Sequence, residues 1–235
     1  MTSIAFSYIG KRKTNQDVIC ESSLGSGTDL YIIADGMGGY DNGKLAASMT
    51  VDSISTFLST VKEINEESIQ KAVNKANLVI RQFQELNHSR LGATIGGVIV
   101  ENNVARCFWV GDVKILRYSD SKLNFESKSH NLYNETSDDA IPNISEIKSK
   151  YSHVVTRSVQ GNLRKSYVSY QELELNDKTD KLIICSDGLH NIIDGHSIEY
   201  LLKNSKSSDE VIEKIRDRLK MEAEDNASFI FIFGT

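Results

Sequence analysis

The sequence predicts an α+β layered sandwich, and three observations carry that prediction. Short apolar strands follow one another through hairpin turns, so they pair with their neighbours in sequence. The helical patterns bunch in two places instead of alternating with strands, which disfavours a doubly wound βαβ sheet. Nothing rich in Pro, or in Gly and Ser, divides the 235 residues, so the whole chain, 1–235, reads as one domain.

Taken in order, residues 4–9, 17–20 and 30–34 read as strands, with a turn at Gly10. Leu45, Met49, Ile54, Phe57 and Leu58 then recur at roughly helical spacing. Ile69, Val73, Ala76, Ile80 and Phe83, three or four apart, mark a second amphipathic helix. Both helices are expected to cover sheet faces. Residues 94–100, 104–110 and 113–118 form a meander, with Glu101-Asn102-Asn103 and Gly111-Asp112 as turns and Ser119-Asp120-Ser121 closing a further hairpin. The polar stretch 133–153 holds the only proline, Pro142, and an irregular segment of that length is functional or mobile.

Strands at 154–159 and 182–185 follow, then a helix around 197–202. A further helix over 209–219 carries an apolar stripe of Val211, Ile215 and Leu219, and Ser207 with Glu210 has the spacing of a capping box. Residues 227–233 alternate as a last strand.

An apolar share of 40% and a charged share of 25% describe a soluble globular protein with enough chain for a substantial core. The formal charge of -5 argues against nucleic acid or an anionic membrane as the main partner. No apolar run approaches the roughly 18 residues of a membrane span, and no signal-peptide pattern opens the chain. Cys20, Cys107 and Cys185 are isolated, as buried thiols in a reducing compartment are, so a cytoplasmic location is expected.

The chemistry concentrates at strand ends. Leu30-Tyr31-Ile32-Ile33-Ala34 runs into Asp35-Gly36-Met37-Gly38-Gly39, which brings a carboxylate to an edge that backbone can approach closely. Leu182-Ile183-Ile184-Cys185-Ser186 runs into Asp187-Gly188-Leu189, and Asp225 precedes the last strand. Three such acids look like the oxygen ligands of a shared hard-metal site. Asp112 is assigned to its turn, His130 and His190 to polar loops or turns, and Cys185 to a buried strand.

Further motifs give these acids a context. Arg12-Lys13-Thr14-Asn15-Gln16-Asp17 opens the chain, and Gly43 and Ala47-Ser48 trail the glycines. Gly92-Ala93-Thr94, Val110-Gly111-Asp112-Val113-Lys114 and Thr156-Arg157-Ser158-Val159-Gln160-Gly161 come next, and Asp225-Asn226-Ala227-Ser228 comes last. In this order the chain resembles the metal-dependent protein phosphatases of the PP2C-like (PPM) family almost end to end. Gln16 and Met37 are residue types common at those positions in bacterial members, so the resemblance is to a compact bacterial-type catalytic domain.

The resemblance implies a four-layer αββα sandwich, two antiparallel sheets face to face with helices outside each. It implies two divalent ions, Mn²⁺ or Mg²⁺. Asp35 would bridge them, the Gly36 carbonyl would bind one, Asp187 and Asp225 would hold the other, and Asp17 would act directly or through water. Arg12 would bind the phosphoryl oxygens, and the catalytic set would be Arg12, Asp35 and Asp187. Acids this close repel by roughly 4 kcal/mol per pair at ~4 Å and an effective dielectric near ~20, a penalty that cations remove.

The implied activity is hydrolysis of phosphoserine and phosphothreonine in proteins, the partner being a Ser/Thr kinase or its targets, by a monomer. Two other readings stay open, a weak or inactive regulatory module and a phosphatase of small esters. The family's Thr-x-Asp-His segment aligns with Ser127-Lys128-Ser129-His130, which puts a neutral hydroxyl at a third-metal acid. That site is expected to be missing, unless Asp138 or Asp139 substitutes. Met37 likewise replaces a histidine that some relatives use as general acid.

Overall fold

The computed structural model describes residues 1–25, 27–37, 41–136 and 151–234. Among the described residues, ten strands form two antiparallel sheets. One contains β1 (Thr2–Tyr8), β10 (Ala227–Phe233), β9 (Lys181–Cys185), β6 (Lys114–Ser119) and β7 (Lys122–Glu126), in that spatial order. The other contains β2 (Asp17–Gly25), β3 (Thr28–Met37), β4 (Gly92–Glu101), β5 (Val104–Val110) and β8 (Ser169–Glu174).

The period-2 alternation of strand side chains explains the layers. In β3, Leu30, Ile32 and Ala34 pack outward against α1 (Asp41–Leu58) and α2 (Glu66–Asn87). Tyr31 and Ile33 point the other way, into an inner cluster shared with Leu182, Ile184, Ile230 and Ile232 of the facing sheet. Ile183, Phe229 and Phe231 turn outward onto Val211, Ile215 and Leu219 of the helix Ser208–Glu222. The result is the expected helix, sheet, sheet, helix stack.

Two hairpins close with paired left-handed residues, Asn102 and Asn103 (φ 50° and 62°) and Asp120 and Ser121 (φ 49° and 62°). Positive φ at both central positions matches the right-handed twist of the strands, and Asn and Asp tolerate it best. Asn65 and Ser68 form a full capping box on α2. The expected box on the later helix is half made. Ser207 accepts from the Glu210 amide, but Glu210 turns back to the Lys206 amide.

The strand expected at 154–159 does not form. That stretch makes only the single bridges Asn131↔Val155 and Ala93↔Val159. Two neighbouring segments each take one residue of the stretch into a bridge, and the rest is left to turns and loop contacts. Within the polar stretch 133–153, a short helix, Leu132–Thr136, begins the segment, and residues 137–150 lie outside the described residues.

Candidate active site

Strand parity decides which acids meet. Asp35 continues the inward series of Tyr31 and Ile33 to the end of β3. The β2–β3 register sets Asp17 directly opposite it. From the facing sheet, Asp187 follows β9 and opens the one-turn helix Asp187–His190, while Asp225 lies just before β10. Asp35, Gly36, Asp112, Asp187, Asp225 and Arg12 line one cavity of about 630 Å³, and Asp17 is buried among their charges.

Close backbone approach makes this possible. A Cβ on Gly36 would stand 2.1 Å from the Gly43 carbonyl oxygen, so only glycine lets the strand end meet the start of α1. Gly10 has φ +62°, and a Cβ there would lie 2.2 Å from the Asp225 carbonyl oxygen. The loop carrying Arg12 is thereby pressed onto Asp225. The Asn226 side chain fastens the same loop, donating to the carbonyls of Ile9 (2.9 Å) and Thr14 (3.0 Å) and accepting from the Gln16 amide (2.9 Å).

A line of small hydroxyls supports Asp17. Ser186 Oγ donates to Asp17 Oδ2 (2.9 Å) and accepts from the Ser228 amide (2.9 Å), and Ser228 Oγ meets Ser7 Oγ at 2.7 Å. Asp17 Oδ1 is buried with no hydrogen-bond partner.

Burial and the neighbouring acids together raise three of these carboxyls. Burial first, then Asp17, Asp187, Asp112 and Asp225, holds the Asp35 carboxyl well above the usual range. Burial, then Asp112, Asp225 and Asp17, pushes Asp187 up to about 7. Asp17 is raised to about 6 by burial and Asp225, against hydrogen bonds from Ser228 and Ser186. Arg12 Nη2 donates to Asp225 Oδ2 at 2.6 Å. Like charges left uncompensated in this way are the arrangement that a bound cation relieves.

Among the described residues, no three or more His, Cys, Asp or Glu side chains stand together as a ready-made metal site. The chemistry of the donors nonetheless fits hard divalent ions: carboxylates of raised affinity for positive charge, and an orphaned buried oxygen on Asp17. Arg12, expected to face the substrate, is paired with Asp225 and still lines the cavity.

The other sequence assignments divide. Asp112, assigned to its turn, also lines the cavity and is the first charge that Asp187 feels. The signal was present in its placement at a strand end beside Gly111. Ser129 lines a second cavity together with Asp112 and Asp187. Asp138 and Asp139 lie outside the described residues.

His130 is structural. Its Nδ1 accepts from the Gly111 amide (3.0 Å), its Nε2 meets Ser169 Oγ (2.8 Å), and burial lowers it to about 4. His190 is held to the Asp112 carbonyl (3.1 Å) and burial likewise lowers it to about 4. Cys185 is fully buried and pushed up to about 12, which makes it no nucleophile. Sequence reasoning missed the roles of Asn226 and the serine line, and missed that His153 and Val155 reach the cavity wall.

The family model described as protein phosphatase 2C matches residues 7–228. The serine/threonine phosphatase stp of Listeria welshimeri is 27% identical over 194 residues, covering 77% of this chain and 74% of that protein. The solved S. agalactiae serine/threonine phosphatase superposes with a TM-score of 0.89 at 22% identity, over 100% of this chain and 99% of that one. The catalytic domain of the serine threonine protein phosphatase PstP, solved in complex with two manganese ions, gives 0.80 at 19% identity, over 98% and 96%. With nearly the whole chain matched and the two-sheet architecture shared, this protein belongs to the protein phosphatase 2C family.

Proposed function

We propose that the protein hydrolyses phosphoserine and phosphothreonine in phosphoproteins, using two Mn²⁺ or Mg²⁺ ions held by Asp17, Asp35, the Gly36 carbonyl, Asp187 and Asp225. The observation that carries this reading is the group of mutually raised carboxylates lining an open cavity beside a single arginine fork. When bound, such ions supply a water ionised near neutral pH and a charge clamp on the phosphoryl oxygens.

The chain's own residues do the rest. Asp35 and Asp17, paired across β2 and β3, present oxygens from one sheet, and Asp187 and Asp225 present them from the other. Arg12 stands at the cavity edge and offers its planar fork to the phosphoryl oxygens, a geometry that Lys does not reproduce. Asn226 and Gly10 hold that loop in place, so the arginine is oriented before substrate arrives.

The substrate is assigned as protein because a member of this family, the Listeria protein, is named for serine/threonine phosphatase activity. Among the described residues no helix is long and apolar enough to cross a membrane. We place the protein in the cytoplasm on its free thiols and read it as a monomer. The test is phosphate release from a phosphothreonine peptide in EDTA and in Mn²⁺, beside p-nitrophenyl phosphate. Mn²⁺-dependent release from the peptide that Asp35→Asn abolishes is expected. Equal release in EDTA would sink the reading, and a folded protein inert on both substrates would favour a regulatory module.

A further inference from the structure

The catalytic cavity does not end at Met37. That residue also lines a second trough, whose walls include Arg90, Gly92, Gln160, Asn162 and Lys165. Asn162 leads on into a groove between α2 and the turn Leu163–Lys165, walled by Lys75, Leu78, Arg81, Leu163 and Arg164. The three openings thus lie side by side, the first two sharing Met37 and the last two Asn162, and they lead away from the acids.

The charge along this path is one-sided. Arg90, Lys165, Lys75, Arg81 and Arg164 line it, and no Asp or Glu does so among the described residues. Yet the chain as a whole carries 32 acids against 27 bases. Of these five cations, Arg81 is the one in an ion pair among the described residues, with Glu85. A run of like charge without counter-ions costs stability and attracts an anionic partner.

The floor is built rather than loose. Asn77, fully buried in α2, accepts from the amides of Gln160 (3.1 Å) and Gly161 (2.9 Å). Gln84 Nε2 donates to the Leu91 carbonyl at 2.7 Å. These amides fasten the 160–165 segment and residue 91 to the same helix, so the cations stand on fixed backbone. Farther along, Leu78 and Leu163 are 53% and 56% exposed, an apolar step in an otherwise cationic wall.

We propose that this path binds an acidic stretch of the phosphoprotein substrate on one side of the phosphorylated residue, with an apolar side chain beyond it seated on Leu78 and Leu163. Arg90 and Lys165 meet the first acids, and Arg164 and Lys75 the next. The proposal rests on the phosphoprotein reading above and assigns the sequence context that the site prefers. Acidic polypeptide fits better than nucleic acid, because the distal wall offers leucines where base stacking would call for aromatic rings.

The test measures kcat/KM at low salt for phosphothreonine peptides with neutral flanks, basic flanks, or acids placed on the N-terminal or C-terminal side only. Acids on one side are expected to raise kcat/KM about fivefold, mostly through KM, as two exposed ion pairs would. The preference should vanish near ~0.5 M salt. The double variant Arg90→Glu with Lys165→Glu should prefer the basic peptide, a ratio that any general loss of activity leaves unchanged. If the double variant does not fold, Arg90→Ala and Lys165→Ala should each lower the acidic-to-neutral ratio about twofold. Peptide hydrolysis indifferent to flanking charge, or a preference unaltered in the variants, would overturn the inference alone. Wild-type protein that cleaves p-nitrophenyl phosphate but no phosphopeptide would overturn the phosphoprotein reading and this inference with it.

Discussion

Strand β9 has an aspartate at each end, and the two could hardly be treated more differently. Asp180 precedes the strand and is 1% exposed, yet every oxygen is answered. Arg117 reaches Oδ2 through Nε (3.1 Å) and Nη2 (2.6 Å), the Asn176 amide adds a bond at 3.0 Å, and Ser119 donates to Oδ1. Burial pushes its carboxyl up, but these donors outweigh burial and hold it below the ordinary value. Asp187 follows the same strand, and there burial first, then the charges of Asp112, Asp225 and Asp17, raises the carboxyl to about 7, with no cation among the main influences to offset them. The comparison teaches that burial does not mark a working acid. What marks it is negative charge that the protein leaves unanswered.

Substitution at the two ends should separate activity from stability. Asp187→Asn is expected to lower kcat/KM more than about 100-fold, beyond the cost of losing an outer partner of a metal, while the metal-free protein melts no lower than wild type. Asp180→Ala should do the reverse. It takes the carboxylate from Arg117, which among the described residues keeps only the Glu174 carbonyl, and should cost about 3 kcal/mol in urea unfolding, at the lower end for a broken buried pair, with kcat nearly unchanged. Comparable activity losses at both ends would break the comparison.

The pH dependence sharpens it. Asp17 and Asp187 have folded-state values near 6 and 7, above the ~3.9 of an unfolded aspartate. The folded state therefore binds more protons than the unfolded state, and stability falls as pH rises through that window. In EDTA the melting temperature should drop between about pH 4 and pH 7, and Mn²⁺ should restore it at the upper end. A metal-free melting temperature that climbs over the same range would contradict the assignment. The smallest effect belongs to Ser186→Ala, which removes the Asp17 donor and should weaken Mn²⁺ affinity about tenfold without abolishing turnover.

Much of this was legible in the chain because strand ends and glycines carry their reasons locally. The runs before Asp35 and Asp187 announce buried strands, and the glycines after them announce close backbone. The layered α+β class followed from hairpin order, and its two sheets and four layers from the family resemblance. What stayed hidden depends on tertiary register. Nothing local to Asn226 shows that its amide will hold residues 9 to 16. Ser7, Ser186 and Ser228 come from three distant segments, and only sheet pairing aligns them behind Asp17. Residues 154–159 misled for the converse reason, a strand-like pattern whose neighbours offer only isolated bridges.

The central claim is that the unanswered charge at one end of the sandwich is a binding site for divalent cations. Titration calorimetry of Mn²⁺ into the protein at pH 6.5, repeated in buffers of different ionisation enthalpy, tests it most directly. The account predicts saturable binding coupled to proton release, because the raised proton affinity of Asp35, Asp17 and Asp187 sets protons in competition with the metal, with both weakened in Asp187→Asn. Absence of binding, or binding that releases no protons and is indifferent to Asp187, would contradict it.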